Sequence, residues 1–513
     1  MPEYLRALLV ILFLASGVFV FAKKPACAVA TSARDFERRR NLWFAITITA
    51  FLAHDFWLYV VISAAMLLVV VPRESNRLAM FFLLLFAVPS IAQQIPGMGI
   101  VRYFFTINYV RLLSLTVLLP AFLALQGKKN AERFGSTLPD KLVMAYLALN
   151  FVLQMRVDTF SNSLRHGVMY AFLDVFLPYY VASRSVRDVR AFRDALMGFV
   201  VAALVLSVIA AFEAAKHWLL YSPLEHALDV RWGFGNYLER EGALRAQGST
   251  GQPIALGYVA AVAMGFLLFL RRSVPSLLSW SLAFAVLSAG LLASLSRGPW
   301  AGAVVMLLAF IAMGPAVGAQ IAKLGAIGAL AVPALLMSPF GEKFVRLLPF
   351  VGTADQFNVT YRERLLEISI GVIMQNPFFG SLGSVYRPDM ESLRQGEGII
   401  DIVNTYLGVG LRSGLVGLVL FSGFFIAVGV MTYRGMRRLP DKNDELHALG
   451  RTLLAVLLGI MVIIFTVSSI TVIPIIYWSV AGLGVAYAGM IGRMRGASPG
   501  ASRRPGATAI AVG

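Results

Sequence analysis

The chain has 513 residues, of which 58% are hydrophobic and 14% are charged, and its formal net charge is +18. Soluble domains are about 45–50% apolar and about 25% charged, so this composition excludes an ordinary soluble protein. One cysteine excludes an internal disulfide, and five histidines without HxxxH or HxxH spacing argue against a transition-metal site.

Long apolar runs recur along the chain and predict an all-α polytopic membrane protein with about 14 transmembrane helices. Two short runs near His54 and Asp55 form either a hairpin or one long tilted helix, so the expected count is 14 or 15. The expected spans are 5–22, 42–54, 56–71, 78–94, 107–125, 140–156, 165–183, 191–213, 252–270, 277–295, 299–314, 318–337, 404–432, 449–468 and 471–491.

Basic loops predict the orientation, because Lys and Arg concentrate in cytoplasmic loops. Alternation of the spans places two long polar segments, 214–251 and 338–403, on the outer side. The chain then divides into N-terminal helices with the first outer segment (1–240), core helices (241–337), a large outer loop (338–403), C-terminal helices (404–491) and a disordered tail (492–513). The scattered basic excess predicts contact with membrane lipids and argues against nucleic-acid binding.

Two outer arginines lie where an apolar helix is about to begin. Arg297 precedes Gly298 and Pro299, and Arg245 stands in the Gly-rich stretch RAQGSTGQPIALG. Helix N-termini and guanidinium groups both bind phosphate oxygens, so these positions predict an anion clamp at the lipid–water boundary that fits a lipid-linked diphosphate. The alternative for each outer arginine is a solvated, salt-bridged loop surface.

Four motifs occur in the order found in the O-antigen ligase and O-antigen polymerase superfamily of bacterial envelope enzymes. They are RAQGSTGQPIALG (245–257), SLSRGPWAG (294–302), YRERLLEISIGVIMQNPFFGSLG (361–383) and VNTYLGVGLRSGLVGL (403–418). Residues 240–420 carry this resemblance, and the other helices agree with it only in number and hydropathy. The resemblance implies a C-type glycosyltransferase-like architecture in the bacterial inner membrane, with a large helical periplasmic loop.

The resemblance also implies an activity and a set of site residues. The family transfers glycans from an undecaprenyl diphosphate carrier without a nucleotide sugar and, in most members, without a metal or other cofactor. By position, Arg245 and Arg297 match arginines that hold the donor diphosphate, and Arg362 matches the arginine that opens the loop helix. Arg364 is a possible supporting residue.

One family position differs in this chain. Many members have His-Asn-x-Tyr-Leu at the end of the large loop, where the His is the proposed base, but here Val403 precedes Asn404 and Tyr406. Valine cannot accept a proton, so we expect Asp401 or Glu397 to be the catalytic base. Glu391, Asn404 and Tyr406 are possible supporting residues. The alternative is that these acids pair with nearby arginines.

The predicted function is polymerisation of glycan repeat units for exopolysaccharide, capsule or O-antigen at the periplasmic face. The expected partners are the lipid-linked oligosaccharide donor and a saccharide acceptor, and a chain-length regulator is a further candidate. A ligase acting on lipid A core or protein is the first alternative. A transporter of lipid-linked oligosaccharides is the second.

Overall fold

The structure is a computed structural model and describes residues 1–99, 102–127, 132–233, 235–240, 242–337, 356–394 and 398–496. These residues are mostly helical. The helices are α1 Glu3–Val29, α2 Ala33–Leu52, α3 Phe56–Val70, α4 Arg77–Leu84, α5 Tyr109–Gln126, α6 Leu138–Met155, α7 160–185, α8 Val189–Lys216, α9 Pro253–Leu270, α10 Leu277–Ala293, α11 Arg297–Ala312, α12 Val317–Leu336, α13 Gln356–Gln375, α14 Thr405–Arg437, α15 Glu445–Ile464 and α16 Ile473–Gly496. Short helices at Leu224–Ala227 and Pro388–Glu391 lie in the loops.

Two helices contain wider π-helical turns, and two small antiparallel hairpins complete the fold. The π-helical turns are Ser114–Leu118 in α5 and Leu164–Tyr170 and Phe172–Phe176 in α7. The first hairpin pairs β1 Ala92–Pro96 with β2 Tyr103–Asn108, and the second pairs β3 Glu239–Arg240 with β4 Ala243–Leu244.

In the described part of the chain, eight helices are long and apolar enough to cross a bilayer. They are α1, α3 with its 3₁₀ extension to Arg73, α5, α8, α9, α14, α15 and α16. Shorter apolar helices occupy Leu277–Ala293, Arg297–Ala312 and Val317–Leu330. The prediction of a multi-pass helical membrane protein is confirmed, whereas the count of 14 or 15 spans stays a prediction.

The helical bundle has two ends, which differ in their charged contacts. The Arg193 end holds buried or partly buried ion pairs, including Arg193 with Glu445 and Arg184 with Asp140. The Arg297 end holds the starts of α9 and α11 and the end of α15. Helices α11 and α15 pack closely because a Cβ on Gly459 would lie 2.9 Å from the backbone oxygen of Gly302.

The predicted span 78–94 is wrong, because its helix ends at Leu84 and the chain continues through a buried turn into β1. Pro89 lacks an N–H and disfavours helical backbone before it, and the YFFTIN sequence of β2 supplies a strand partner. The carbonyl oxygens released by the broken helix accept hydrogen bonds from Tyr109 at Leu84 (2.8 Å) and from Ser249 at Phe86 (2.6 Å). Such pairing is needed where non-helical backbone lies inside a membrane protein.

The structure also decides the form of the chain near His54. Helices α2 and α3 are separate and are joined through His54, whose φ of 53° is in the left-handed region. The hairpin alternative is therefore the one observed.

Candidate functional site

A cavity of about 190 Å³ lies at the Arg297 end of the bundle and gathers residues from five separate stretches of sequence. Its walls come from the loop before α9, the start of α11, the first turns of α13, the loop before α14 and the end of α15. The lining residues are Arg240, Arg245, Ile254, Ser296, Arg297, Gly298, Pro299, Tyr361, Arg362, Asp401, Val403, Thr466 and Val467. Of the predicted site residues, Arg245, Arg297, Arg362 and Asp401 are therefore brought to one place.

Arg245 is fixed by contacts with the connection between α10 and α11. Its Nη2 donates to the Ser296 hydroxyl at 3.1 Å, and its Nε lies 3.5 Å from the Ser294 carbonyl oxygen. Nearby, Arg240 donates to the Leu295 carbonyl at 2.6 Å. These bonds join the two arginine motifs, which are about 50 residues apart in sequence.

Arg297 opens α11 immediately after a strained backbone position. Leu295 has a φ of 45°, and the following Ser296 makes no side-chain cap to the helix, because its hydroxyl donates to Ser294 and accepts from Arg245. The N–H groups and the positive dipole end of α11 are thus directed to the same end as the arginines. Gly298 permits the end of α15 to approach, since a Cβ there would lie 2.2 Å from Thr466 Oγ1.

The sequence did not predict the residue that holds the Arg245 loop. Glu213, near the end of α8, is fully buried and accepts three backbone hydrogen bonds, from Leu220 (3.0 Å), Gln247 (3.0 Å) and Gly248 (2.8 Å). Its carboxylate therefore ties the beginning of the outer loop to the turn that follows Arg245. The only sign of Glu213 in the sequence was its position as a single acid at the end of an apolar helix.

Asp401 is the carboxylate of the cavity. Ser468 donates to its Oδ1 at 2.8 Å, and the Tyr361 hydroxyl donates to its backbone oxygen at 3.0 Å. Burial raises the pKa of Asp401 above the ordinary aspartate range, while the hydrogen bond from Ser468 and the charge of Arg362 oppose this shift. A carboxylate with a raised pKa is suited to accept a proton near neutral pH.

Other predicted residues lie outside the cavity. Glu391 pairs with Arg394 at 2.7 Å on the surface, and Arg364 is exposed. Asn404 caps α14 by accepting from the backbone of Tyr406 (2.9 Å), and the Tyr406 hydroxyl donates to the Met461 carbonyl at 3.3 Å. The second base candidate, Glu397, falls outside the described residues, so its prediction stays open.

Several cavity residues were not predicted from the sequence. Arg240, Thr466 and Val467 lie in segments without a motif, and of these only Arg240 had a signal, as one of several outer arginines. Tyr361 opens the motif 361–383 but was not singled out as a site residue. Within the described ranges, no three His, Cys, Asp or Glu side chains form a group that could hold a metal ion.

Comparison with known families tests the resemblance. Residues 282–422 match the family described as O-antigen ligase. The matched segment covers about a quarter of the chain and is similar to this family. It includes Arg297, Arg362 and Asp401 of the cavity, whereas Arg245 precedes it. No curated protein matches the chain in sequence.

The match of residues 282–422 to the O-antigen ligase family supports the predicted resemblance and indicates a general role. The family supports an enzyme of envelope polysaccharide assembly that uses lipid-linked saccharide donors and saccharide acceptors. Together with the apolar helices, it supports a multi-pass membrane protein.

Proposed function

We propose that the chain is a polymerase that transfers glycan repeat units from undecaprenyl diphosphate to an acceptor saccharide at the periplasmic face of the inner membrane. The observation that supports this most is the grouping of Arg245, Arg297, Arg362 and Asp401 around one cavity. In this proposal the arginines bind the diphosphate and Asp401 receives a proton. The reaction uses no metal or other cofactor.

The arginines act on the leaving group. As the bond between the anomeric carbon and the diphosphate oxygen breaks, negative charge grows on the diphosphate. Guanidinium groups held in place by the protein stabilise that charge more in the transition state than in the ground state, which is the requirement for catalysis. The bonds from Arg245 to Ser296 and Ser294 support a fixed position for one of these groups.

Asp401 acts on the acceptor. The acceptor hydroxyl oxygen attacks the anomeric carbon and its proton passes to the Asp401 carboxylate, while undecaprenyl diphosphate leaves with the electron pair. A direct displacement inverts the anomeric configuration. Val403 stands where many family members have the proposed His base, and it lines the cavity together with Asp401. This proximity supports Asp401 as the replacement for that His.

An apolar groove supports a donor that carries a long lipid. It has a volume of about 450 Å³ and lies between α9, α10 and α11, with Trp300 in its wall directly after Pro299 of the polar cavity. Leu292 and Val304 on its rim are 45% and 56% exposed, as side chains that face acyl chains would be. A polyprenyl chain can enter this groove from the bilayer while its diphosphate reaches the arginines.

The second candidate function is ligation of glycan to lipid A core or protein, which the description of the matched family favours. The two reactions share the donor site and differ in the acceptor. Loss of a polymerase leaves single repeat units on the carrier, whereas loss of a ligase leaves long polymer that stays unattached. The absent family His and the chain length favour a polymerase, for which a chain-length regulator is a candidate partner. A transporter of lipid-linked oligosaccharides is the third candidate.

The test removes one arginine at a time. Arg245→Ala or Arg297→Ala should lower glycan transfer by a factor of about 10²–10³, equivalent to about 3–4 kcal/mol, as for loss of an oxyanion donor. Arg394→Ala is the matched control, since Arg394 lies at the surface with Glu391 and is expected to retain transfer. Lipid-linked products from cells and purified protein give the readout. Normal transfer by either cavity variant, at normal protein abundance, would contradict the proposal.

A further inference from the structure

Helix α13 carries two apolar faces, and only one is buried. Tyr361, Leu365, Val372 and Ile373 pack with Leu411 of α14 in a small core. The other face of α13 and the loop that follows it carry five large apolar side chains that are between 44% and 66% exposed. This apolar ridge consists of Leu366, Ile370, Met374, Phe378 and Phe379.

The loop after α13 fills a break in α14. Gly414 leaves the helical conformation, with φ 64° and ψ −166°, and its neighbours bond to the loop instead of to their own helix. The N–H of Leu415 donates to the Pro377 carbonyl at 2.7 Å, and that of Val416 donates to the Phe378 carbonyl at 3.2 Å. A Cβ at Gly414 would lie 2.4 Å from the Phe378 backbone, so the contact requires glycine. The ridge is thereby fixed against α14.

The position of this break relative to the membrane follows from helix length. The 23 residues from 415 to 437 extend about 34 Å at 1.5 Å each, which is enough to cross a hydrocarbon core of about 30 Å. The part of α14 after the break is therefore long enough to span the membrane by itself, which allows the break to lie at the membrane boundary on the Arg297 end. Leu415 and Val419, 42% and 69% exposed, continue the apolar surface from the ridge onto the spanning part of α14.

We infer that the apolar ridge dips into the outer boundary of the bilayer and that its partner is lipid. Arg362, Glu363 and Arg364 are exposed in the first half of the same helix, and the exposed Glu367 lies just past its midpoint. This part of the helix therefore stays in water while its end enters the interface. Helices with this distribution of charged and apolar residues lie at membrane interfaces. The loop helix is then held by lipid on one side and by α14 on the other. This inference does not depend on the proposed reaction.

Spin labels in proteoliposomes test the depth of the ridge in the full-length protein. The single cysteine is first removed as Cys27→Ser, and one label is then placed by Ile370→Cys, Met374→Cys or Phe378→Cys. Glu363→Cys provides the water control on the same helix, and Val419→Cys provides the lipid control on α14. The measurement compares collisions of each label with oxygen, which concentrates in lipid, and with a water-soluble nickel chelate.

We expect the oxygen-to-nickel ratio at the three ridge positions to match that of Val419→Cys and to exceed that of Glu363→Cys several-fold. A ratio equal to the Glu363→Cys value would place the ridge in water and overturn the inference. Low access to both reagents would mean that protein, either a partner or a second copy, covers the ridge, and would also overturn it. All five positions are exposed in the fold, so labelling leaves the packing intact.

Discussion

Glu213→Gln tests how the loop that carries Arg245 is held in place. The carboxylate accepts three backbone N–H groups within 3.0 Å in a fully buried site. An amide offers one oxygen, which can retain Gln247 and Gly248, but its NH₂ group then faces the N–H of Leu220 and leaves that donor without an acceptor. An unsatisfied buried donor costs about 1–3 kcal/mol, and the two remaining bonds lose their charge assistance, so we expect a loss of about 2–4 kcal/mol.

The substitution weakens the hold on the turn at Gln247 and Gly248, which follows Arg245 directly in the chain. We therefore expect Glu213→Gln to lower glycan transfer only through the displacement of Arg245. Unfolding of the purified variant in detergent measures the stability loss, and glycan transfer is compared for Glu213→Gln, Arg245→Ala and the double variant. We expect the double variant to be no worse than Arg245→Ala alone. Asp140→Asn, which breaks a buried contact with Arg184 at the opposite end, provides a control whose effect should add to that of Arg245→Ala. An additive effect of Glu213→Gln, or unchanged stability, would refute the reasoning.

Four further predictions concern the cavity and its reaction. Because burial raises the pKa of Asp401, the acid limb of the pH–rate profile should lie at a higher pH than an ordinary aspartate would give, and Asp401→Asn should lose most transfer at every pH. The ionised form of such a group lowers the stability of the fold above its raised pKa. Asp401→Asn should therefore unfold at a higher temperature than the unmodified protein at neutral pH. A lower unfolding temperature would contradict the burial argument. Gly298→Ala should impair transfer because its Cβ meets Thr466 Oγ1 at 2.2 Å, and Gly298→Ala combined with Thr466→Ala should recover part of it; failure to recover would point to another cause. Transfer should persist in the presence of a metal chelator, and its loss would disprove a metal-independent reaction.

The parts of the site that the sequence predicted are those with a local cause. Arg297 stands beside glycine and proline at a helix start, and Arg245 lies in a Gly-rich stretch eight residues before the next helix. Gly-rich turns at helix N-termini are typical of phosphate sites. Asp401 was identified because it stands two residues from Val403, where the family pattern fails. In each case the informative neighbours lie within a few positions in the chain.

The parts that the sequence did not predict depend on distant partners. Glu213 holds backbone N–H groups up to 35 residues away, and no side-chain pattern records a bond to a backbone group. Gly414 lies inside the predicted span 404–432, but it forms a break whose bonding partners lie in another loop. The span 78–94 was read from hydropathy, which does not distinguish a buried turn from a buried helix.

The wall of the cavity formed by Thr466 and Val467 has a consequence for biosynthesis. These residues follow α15 and belong to the last tenth of the chain, whereas the cavity arginines begin at position 240. A nascent chain that has inserted its first helices therefore possesses the cations without the enclosure. Competence to handle a lipid-borne substrate arises only when translation is nearly finished, so prematurely terminated products should accumulate in the membrane as inert proteins.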